Sequence, residues 1–124
     1  MIIRSYITMD EGNGKYRRIY CHFEDGVGKT LVDNYNTPEK VSALLDLGDL
    51  SMLGQTPDDC VAYGRDRGEE RTEADIITKQ TLIDDSWSVD YVYTFVPNTN
   101  KWGYFIGGEQ FMGFRSVEAD MLED

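Results

Sequence analysis

Apolar and polar residues alternate with a period of two over the first part of the chain. The stretch IIRSYITM (2–9) is rich in β-branched and aromatic residues, DEGNG (10–14) contains turn-forming residues, and KYRRIYCHF (15–23) resumes the alternation. Two alternating segments separated by a glycine-containing turn are typical of a β-hairpin. The pattern therefore predicts a first hairpin over residues 2–23.

The second strand of this hairpin has two chemically different faces. Ile19, Cys21 and Phe23 share one face, because side chains alternate across a strand, and we expect that face to be buried. The other face carries four polar or aromatic residues: Tyr16, Arg18, Tyr20 and His22. It is either an ordinary solvated surface or a binding surface.

The period changes to that of a helix in NTPEKVSALLDLGD (36–49). Thr37 is a suitable N-cap, Pro38 suits the first helical position, and Gly48 supplies a stop. The apolar residues of this segment follow the i, i+3, i+4 spacing of one buried helix face: Val41, Leu44 and Leu45.

Three shorter segments follow this helix. LSMLG (50–54) is predicted to be an apolar turn and DCVAY (59–63) a short buried strand. IITKQTLIDDSW (76–87) is predicted to begin as a strand and to continue as a short helix around 81–85.

The C-terminal third predicts one more hairpin and one more helix. VDYVYTFV (89–96) and KWGYFIGG (101–108) flank the turn PNTN, and RSVEADMLED (115–124) is predicted to form an acidic helix capped by Ser116. All segments together predict an α+β fold: an antiparallel sheet built from two β-hairpins and a central strand, with two or three helices on one face. A single domain over residues 1–124 is expected.

Charge restricts the classes of partner. The 124 residues include 23 Asp and Glu and 12 Lys and Arg, so the net charge is −11. Such a chain repels phosphate backbones and anionic lipids, which disfavours direct nucleic-acid or membrane binding and favours a basic partner. No apolar run approaches the ~20 residues that span a bilayer, and the N-terminus lacks a signal-peptide core, so a cytoplasmic protein is expected. The two cysteines, Cys21 and Cys60, are expected to be buried thiols.

The segment EDGVGKTLV (24–32) resembles the end of a nucleotide-binding P-loop. A P-loop requires a glycine five residues before Gly28, where this chain has Phe23. The first two residues of the segment, Glu24 and Asp25, would also place negative charge where a phosphate would bind. A phosphate-binding loop is therefore rejected. Gly26 and Gly28 are predicted instead to supply positive φ angles in a loop that leaves the strand.

The sequence also lacks a complete set of residues for a metal site or for nucleophilic catalysis. Cys21 and His22 are adjacent on a strand, so they point to opposite faces and cannot easily share a metal ion or form a catalytic pair. No metal and no cofactor are predicted, and a non-enzymatic protein is favoured. His22 is the only histidine, available as an acid or base but more often structural in such a position.

At the start of the segment GRDRGEER (64–71), Arg65 and Arg67 place two guanidinium groups on either side of Asp66. Arg65 and Arg67 could clamp a phosphate or a partner's carboxylate while Asp66 orients one of them. A solvated loop whose charges pair internally is the alternative. The acidic pairs elsewhere and the acidic tail could imitate DNA phosphates, although solubility also explains them: Asp58-Asp59, Glu69-Glu70, Asp84-Asp85 and EADMLED (118–124).

Residues 16–70 resemble a family of small uncharacterised bacteriophage and prophage proteins. The shared features are an Ile-Tyr-Cys-His strand, an acidic glycine-containing loop, a helix ending in Leu-Gly-Asp-Leu-Ser, and an Arg-Asp-Arg-Gly loop. Phe23 stands where many relatives have tryptophan. The resemblance implies an accessory protein that acts in the cytoplasm of an infected bacterium, and its recurrent motifs include Tyr20, His22, Asp25, Arg65, Asp66 and Arg67.

Two functional hypotheses follow from these residues. The first is a non-enzymatic phage protein that binds and inhibits a host protein of a defence or nucleic-acid-processing system, through recognition of a basic surface. The alternative is a small site that binds or cleaves a nucleotide, with Arg65 and Arg67 on the phosphate and His22 as acid or base. A virion component is a weaker third. The candidate binding residues are Arg18, Tyr20, His22, Asp25, Arg65, Asp66 and Arg67.

Overall fold

The computed structural model describes residues 2–23, 26–69 and 73–122. The strands in this part of the chain are β1 (Ile3–Gly12), β2 (Lys15–Phe23), β3 (Leu50–Met52), β4 (Val61–Ala62), β5 (Asp75–Thr78), β6 (Tyr91–Val96), β7 (Lys101–Ile106) and β8 (Arg115–Ser116). The helices are α1 (Val27–Asn34), α2 (Pro38–Leu45), α3 (Lys79–Asp85) and α4 (Val117–Met121). Short 3₁₀ turns occur at Pro57–Asp59 and Ser86–Ser88.

The fold is α+β, as predicted, but the sheet is mixed. Its order is β4-β3-β2-β1-β6-β7-β8, and β5 also pairs with β2. Both predicted hairpins are present as antiparallel pairs, β1 with β2 and β6 with β7. They join through a parallel pairing of β1 with β6, and β2 meets β3 in parallel at Cys21 and Leu50. The prediction of a purely antiparallel sheet was wrong, because crossover connections that contain helices return the chain in the same direction as the earlier strand.

The segment predicted as a central strand lies at the edge of the sheet. Within 59–63 only β4 is extended, and it pairs with β3, which occupies the segment predicted as a turn. Cys60 and Ala62 are buried, so the apolar residues of this segment reflect its burial and not a position in the middle of the sheet. The centre is β1, which is paired on both sides from Ser5 to Met9.

Three helices cover one face of the sheet. Ile7, Ile19 and Phe95 point to that face from three neighbouring strands and pack with α1, α2 and α4 into the larger apolar core. The local signals for two of these helices are confirmed. The Thr37 side chain accepts a hydrogen bond from the Lys40 N–H at the start of α2. At the start of α4, the Ser116 side chain accepts a hydrogen bond from the Ala119 N–H.

The fourth helix, α3, packs on the opposite face. Its fully buried Leu82 joins Tyr16, Val92 and Phe105 in a second, smaller cluster. These three sheet residues occupy the alternate positions of β2, β6 and β7, so they point away from the larger core. The prediction that all helices lie on one face was wrong, because the second face carries enough apolar surface to need a cover.

Residues 27–34, predicted as part of a glycine-rich loop, form α1. Gly26 precedes the helix with φ 89°, as predicted for a positive-φ glycine. Gly28 lies inside the helix, so its predicted positive φ was wrong. A Cβ at Gly28 would lie 2.8 Å from Met121 Sδ and 3.0 Å from Val117 Cγ1. Glycine at this position therefore permits the close packing of α1 against α4.

Candidate functional site

A groove opens where the outer edge of β2 changes partners. β5 pairs with residues Lys15–Arg18, and β3 reaches β2 at Cys21. Between these two pairings the Tyr20 N–H donates instead to the Asp49 side chain, at 2.8 Å. The resulting space of about 230 Å³, called the β2 groove, is lined by Tyr6, Arg18, Ile19, Tyr20, Asp49 and Asp75.

Arg18 is the cation of this groove. Its Nη1 donates to Asp85 Oδ2 at 2.7 Å and its Nη2 to Asp75 Oδ2 at 3.2 Å, while its guanidinium carbon lies 4.5 Å from the centre of the Tyr6 ring. Burial opposes the charge, but the hydrogen bonds to the two carboxylates outweigh it and raise the pKa of Arg18. Arg18 therefore remains charged and holds α3 and β5 against β2.

Asp49 is the most desolvated carboxylate of the groove. Burial raises the pKa of Asp49 above its usual range, and the negative charge of Asp75 acts in the same direction. The Tyr20 N–H and Arg18 oppose this shift without cancelling it. The groove thus contains a carboxylate whose charge is only partly compensated by its neighbours.

An aromatic row runs along the wall of the groove. The Tyr6 and Tyr20 rings meet edge to face at 6.4 Å, and the Tyr20 and His22 rings do so at 6.2 Å. Burial raises the pKa of Tyr20, so its hydroxyl stays protonated at neutral pH. Three predicted candidates, Arg18, Tyr20 and His22, are therefore brought together on one face.

The Arg65 side chain is 37% exposed, but it donates its hydrogen bonds to acceptors of the same chain. Its Nε and Nη2 donate to the two oxygens of Asp66 at 2.9 and 2.8 Å, and Nη1 and Nη2 donate to the carbonyls of Pro57 and Cys60 at 3.1 and 2.7 Å. Asp66 in turn accepts the Ala62 N–H at 2.8 Å. The Arg65 hydrogen bond and the Ala62 N–H lower the pKa of Asp66. This pair therefore fastens the loop to β4 and the preceding turn.

Arg67 faces outward. Its side chain is 52% exposed, its Nε lies 3.4 Å from a Glu69 carboxylate oxygen, and its guanidinium lies 5.0 Å from the centre of the Tyr63 ring. The Tyr63 N–H donates to the Asp49 carbonyl, which places the start of this loop beside the β2 groove. Arg67 is thus the arginine of the loop that is accessible to a partner.

The predicted candidates do not form one constellation. No hydrogen bond or ion pair within residues 2–23, 26–69 and 73–122 joins His22 to Arg65 or Arg67. Asp25 lies outside the described residues. Asp49 and Asp75 were not among the predicted residues, and Asp85 was predicted only as part of an acidic pair, because the three residues come from distant segments. Tyr6 could have been found, since the hairpin register pairs it with Tyr20.

The P-loop-like segment continues into a helix, and the cysteines lie in the core. Lys29 Nζ lies 2.8 Å from Asp33 Oδ2, one turn further along α1. Both cysteines are buried, as predicted, and burial raises the pKa of Cys21 to about 12. The Gly54 N–H donates to Cys60 Sγ at 3.2 Å. With so high a pKa, the Cys21 thiol is unreactive at neutral pH.

Comparison with known proteins leaves the site without a precedent. No protein-family model matches the chain, and neither a curated protein nor a solved structure matches it significantly. Within the described residues, no group of three or more His, Cys, Asp or Glu side chains is arranged to hold a metal ion. None of the described helices is long and apolar enough to cross a membrane.

Proposed function

We propose that this chain is a non-enzymatic protein that binds a basic segment of a bacterial host protein through the β2 groove and thereby inhibits that protein. The observation that carries the proposal is the composition of the groove. Arg18 pairs with Asp75 and Asp85, and Asp49 lines the same groove beside the rings of Tyr6 and Tyr20. The resemblance to phage proteins is the reason to seek the partner in an infected bacterium.

The groove is suited to a cationic side chain. The groove lining carries two carboxylates, Asp49 and Asp75, against the guanidinium of Arg18, which leaves a negative excess even though Arg4 approaches Tyr20 from outside the lining. The raised pKa of Asp49 indicates that part of this excess is desolvated. An incoming lysine or arginine would compensate that charge, and the tyrosine faces would add cation–π attraction. The volume of about 230 Å³ is below the ~300 Å³ at which pockets for whole small molecules begin. A side chain of a partner therefore fits better than a free ligand.

The nucleotide alternative has weaker support. Arg65 donates to internal acceptors through all three of its nitrogens, so it has less capacity left for a phosphate. Arg67 remains accessible, but a Glu69 carboxylate lies beside it. A phosphate would also approach against a net charge of −11.

The test is capture of a host protein by wild-type and groove variants. The double variant Asp49→Asn/Asp75→Asn removes two negative charges while retaining side-chain oxygens that can accept the existing hydrogen bonds. We expect the dissociation constant of a captured partner to rise at least about tenfold, a loss of roughly 1.4 kcal/mol. Higher salt should weaken wild-type binding further, because the contacts are ionic.

The matched control is Glu11→Gln. Glu11 is an exposed carboxylate in the described hairpin, five residues along β1 from Tyr6 and hence about 16 Å away by strand rise. Its removal should leave the affinity within about twofold of wild type. Equal loss in the control and the double variant would indicate a general charge effect and would refute a role for the groove.

Competition by duplex DNA tests the mimicry form of this proposal. If the acidic surface imitates DNA phosphates, the partner is a DNA-binding protein, and duplex DNA should displace the chain from it. If duplex DNA fails to displace a partner that binds the groove, the chain recognises a basic segment without imitating DNA.

A further inference from the structure

A tryptophan projects from the surface next to the β2 groove. Trp87 is 66% exposed on the turn Ser86–Ser88, whereas Trp102 is only 4% exposed. Ser86 and Val89 on either side of Trp87 are buried, so they occupy the inward positions of the turn. Trp87 therefore remains outside although burial would stabilise so large an apolar ring by more than 1.5 kcal/mol.

The turn that carries Trp87 is held firmly. The Ser86 hydroxyl donates to the Ile83 carbonyl at 2.6 Å, and the Ser88 hydroxyl donates to the Asp85 carbonyl at 2.8 Å. The turn after β7 packs so closely that a Cβ at Gly107 would lie 1.9 Å from the Val89 carbonyl oxygen. The backbone at Trp87 is thus held in one conformation, which lowers the entropic cost of ordering this turn on binding.

Two carboxylates flank the indole in sequence. Asp84 and Asp90 are both exposed, three residues on either side of Trp87, and neither forms an ion pair within the described residues. Asp84 accepts a hydrogen bond from the neutral Gln80 amide, and Asp90 accepts one from the Arg4 backbone N–H. The charges of Asp84 and Asp90 are therefore available to a cation from outside.

This surface is continuous with the groove. The Tyr6 hydroxyl, on the groove wall, lies 3.2 Å from the Ser88 hydroxyl beside Trp87. Asp85, in the turn before Trp87, binds Arg18 inside the groove. A single extended segment of a partner can therefore contact both places.

We infer that Trp87 anchors an arginine side chain of the partner, with the guanidinium stacked on the indole and paired to Asp84 or Asp90. The inference rests on the proposed function, since it names the residue type that the basic segment must contain. Arginine is preferred to lysine because its planar guanidinium is weakly hydrated and stacks on aromatic faces while its N–H groups remain free for carboxylates.

The experiment compares two octapeptides of alternating glycine and arginine or glycine and lysine. Binding is measured by calorimetry and, for proteins that retain Trp87, by the fluorescence of this exposed indole. We expect wild-type protein to bind the arginine peptide at least about threefold more tightly than the lysine peptide, because the guanidinium plane can stack on the indole while its N–H groups pair with carboxylates. Equal affinities, or no binding of the arginine peptide at millimolar concentration, would overturn the inference.

Three variants separate this inference from the proposed function. Trp87→Ala should abolish the arginine preference, whereas Met112→Ala, at an apolar residue 81% exposed, should preserve it. Asp49→Asn/Asp75→Asn should weaken both peptides while keeping their ratio. A ratio unchanged in Trp87→Ala refutes the anchor but leaves the groove in place. A ratio lost in Trp87→Ala, with both affinities unaffected by the groove variant, refutes the groove but retains the anchor.

Discussion

The two faces of the sheet carry alternate residues of the same strands, but they are covered to different extents. On one face α1, α2 and α4 cover a continuous apolar core. On the other, α3 covers a smaller apolar cluster, and the remaining surface consists of Arg18, Tyr20, His22 and the carboxylates that surround the groove. Along β2, consecutive residues alternate between the faces: Ile19 and Cys21 point to the larger core, and Arg18 and Tyr20 point to the opposite face.

This difference indicates where substitutions should affect folding and where they should affect binding. A residue on the helix-covered face has apolar neighbours on all sides, and its loss leaves a cavity. A residue of the groove has charged neighbours and partial access to water, so its substitution changes charge balance with little loss of packing. The predictions below test this separation.

The largest effect is expected in the larger core. Leu44→Ala should lower the free energy of unfolding by about 2–5 kcal/mol, because Leu44 is fully buried in α2. Leu82→Ala, on α3, should cost less, since the smaller cluster has partly buried neighbours that can relax into the space. Urea denaturation measures both. A loss below about 0.5 kcal/mol for Leu44→Ala, or a larger loss for Leu82→Ala, would contradict the comparison.

The contact between α1 and α4 should show the next largest effect. Gly28→Ala should destabilise the protein by about 1–3 kcal/mol, because the added methyl group meets Met121 and Val117. Met121→Ala in the same chain should restore part of that loss, since it removes the nearest obstructing atom. Additive losses in this double-mutant cycle would show that the two positions do not compete for space.

The two arginines of the loop are expected to differ. Arg65→Ala should lower the melting temperature, because the carbonyls of Pro57 and Cys60 and the Asp66 carboxylate lose their shared donor. Arg67→Ala should leave the melting temperature close to wild type, since its contacts are at the surface. Arg67→Lys is the control for charge against guanidinium shape in a binding assay. A larger thermal loss for Arg67→Ala would reverse the assignment.

The smallest effect concerns the pH dependence of Asp49. A raised pKa means that the folded state favours the protonated carboxyl, so its contribution to stability is present at low pH and is lost as pH rises through the folded pKa. Asp49→Asn should therefore be neutral or slightly stabilising at pH 7 relative to wild type. The difference should shrink toward pH 4. Thermal melts at both pH values measure it, and a variant destabilised more at pH 7 than at pH 4 would refute the direction of the shift.

Local signals predicted the elements that depend on neighbours in sequence. Alternation and turn residues located both hairpins, and Thr37, Pro38 and Ser116 marked the starts of α2 and α4. The same alternation placed Arg18, Tyr20 and His22 on one face. These features were predictable because strand alternation and helix capping involve residues within a few positions of one another.

Tertiary contacts decided the rest. The parallel pairing of β1 with β6, the placement of α3, and the helical state of residues 27–34 depend on segments far apart in the chain. The same holds for the groove, whose carboxylates Asp49, Asp75 and Asp85 meet Arg18 only after β3, β5 and α3 have packed. Identical arginines in one loop took different roles because acceptors lay within reach of Arg65, while Arg67 was left at the surface. Composition and periodicity indicate which side chains are stabilised by burial or by a charged partner. Which residues become their neighbours depends on how distant segments pack in the folded chain.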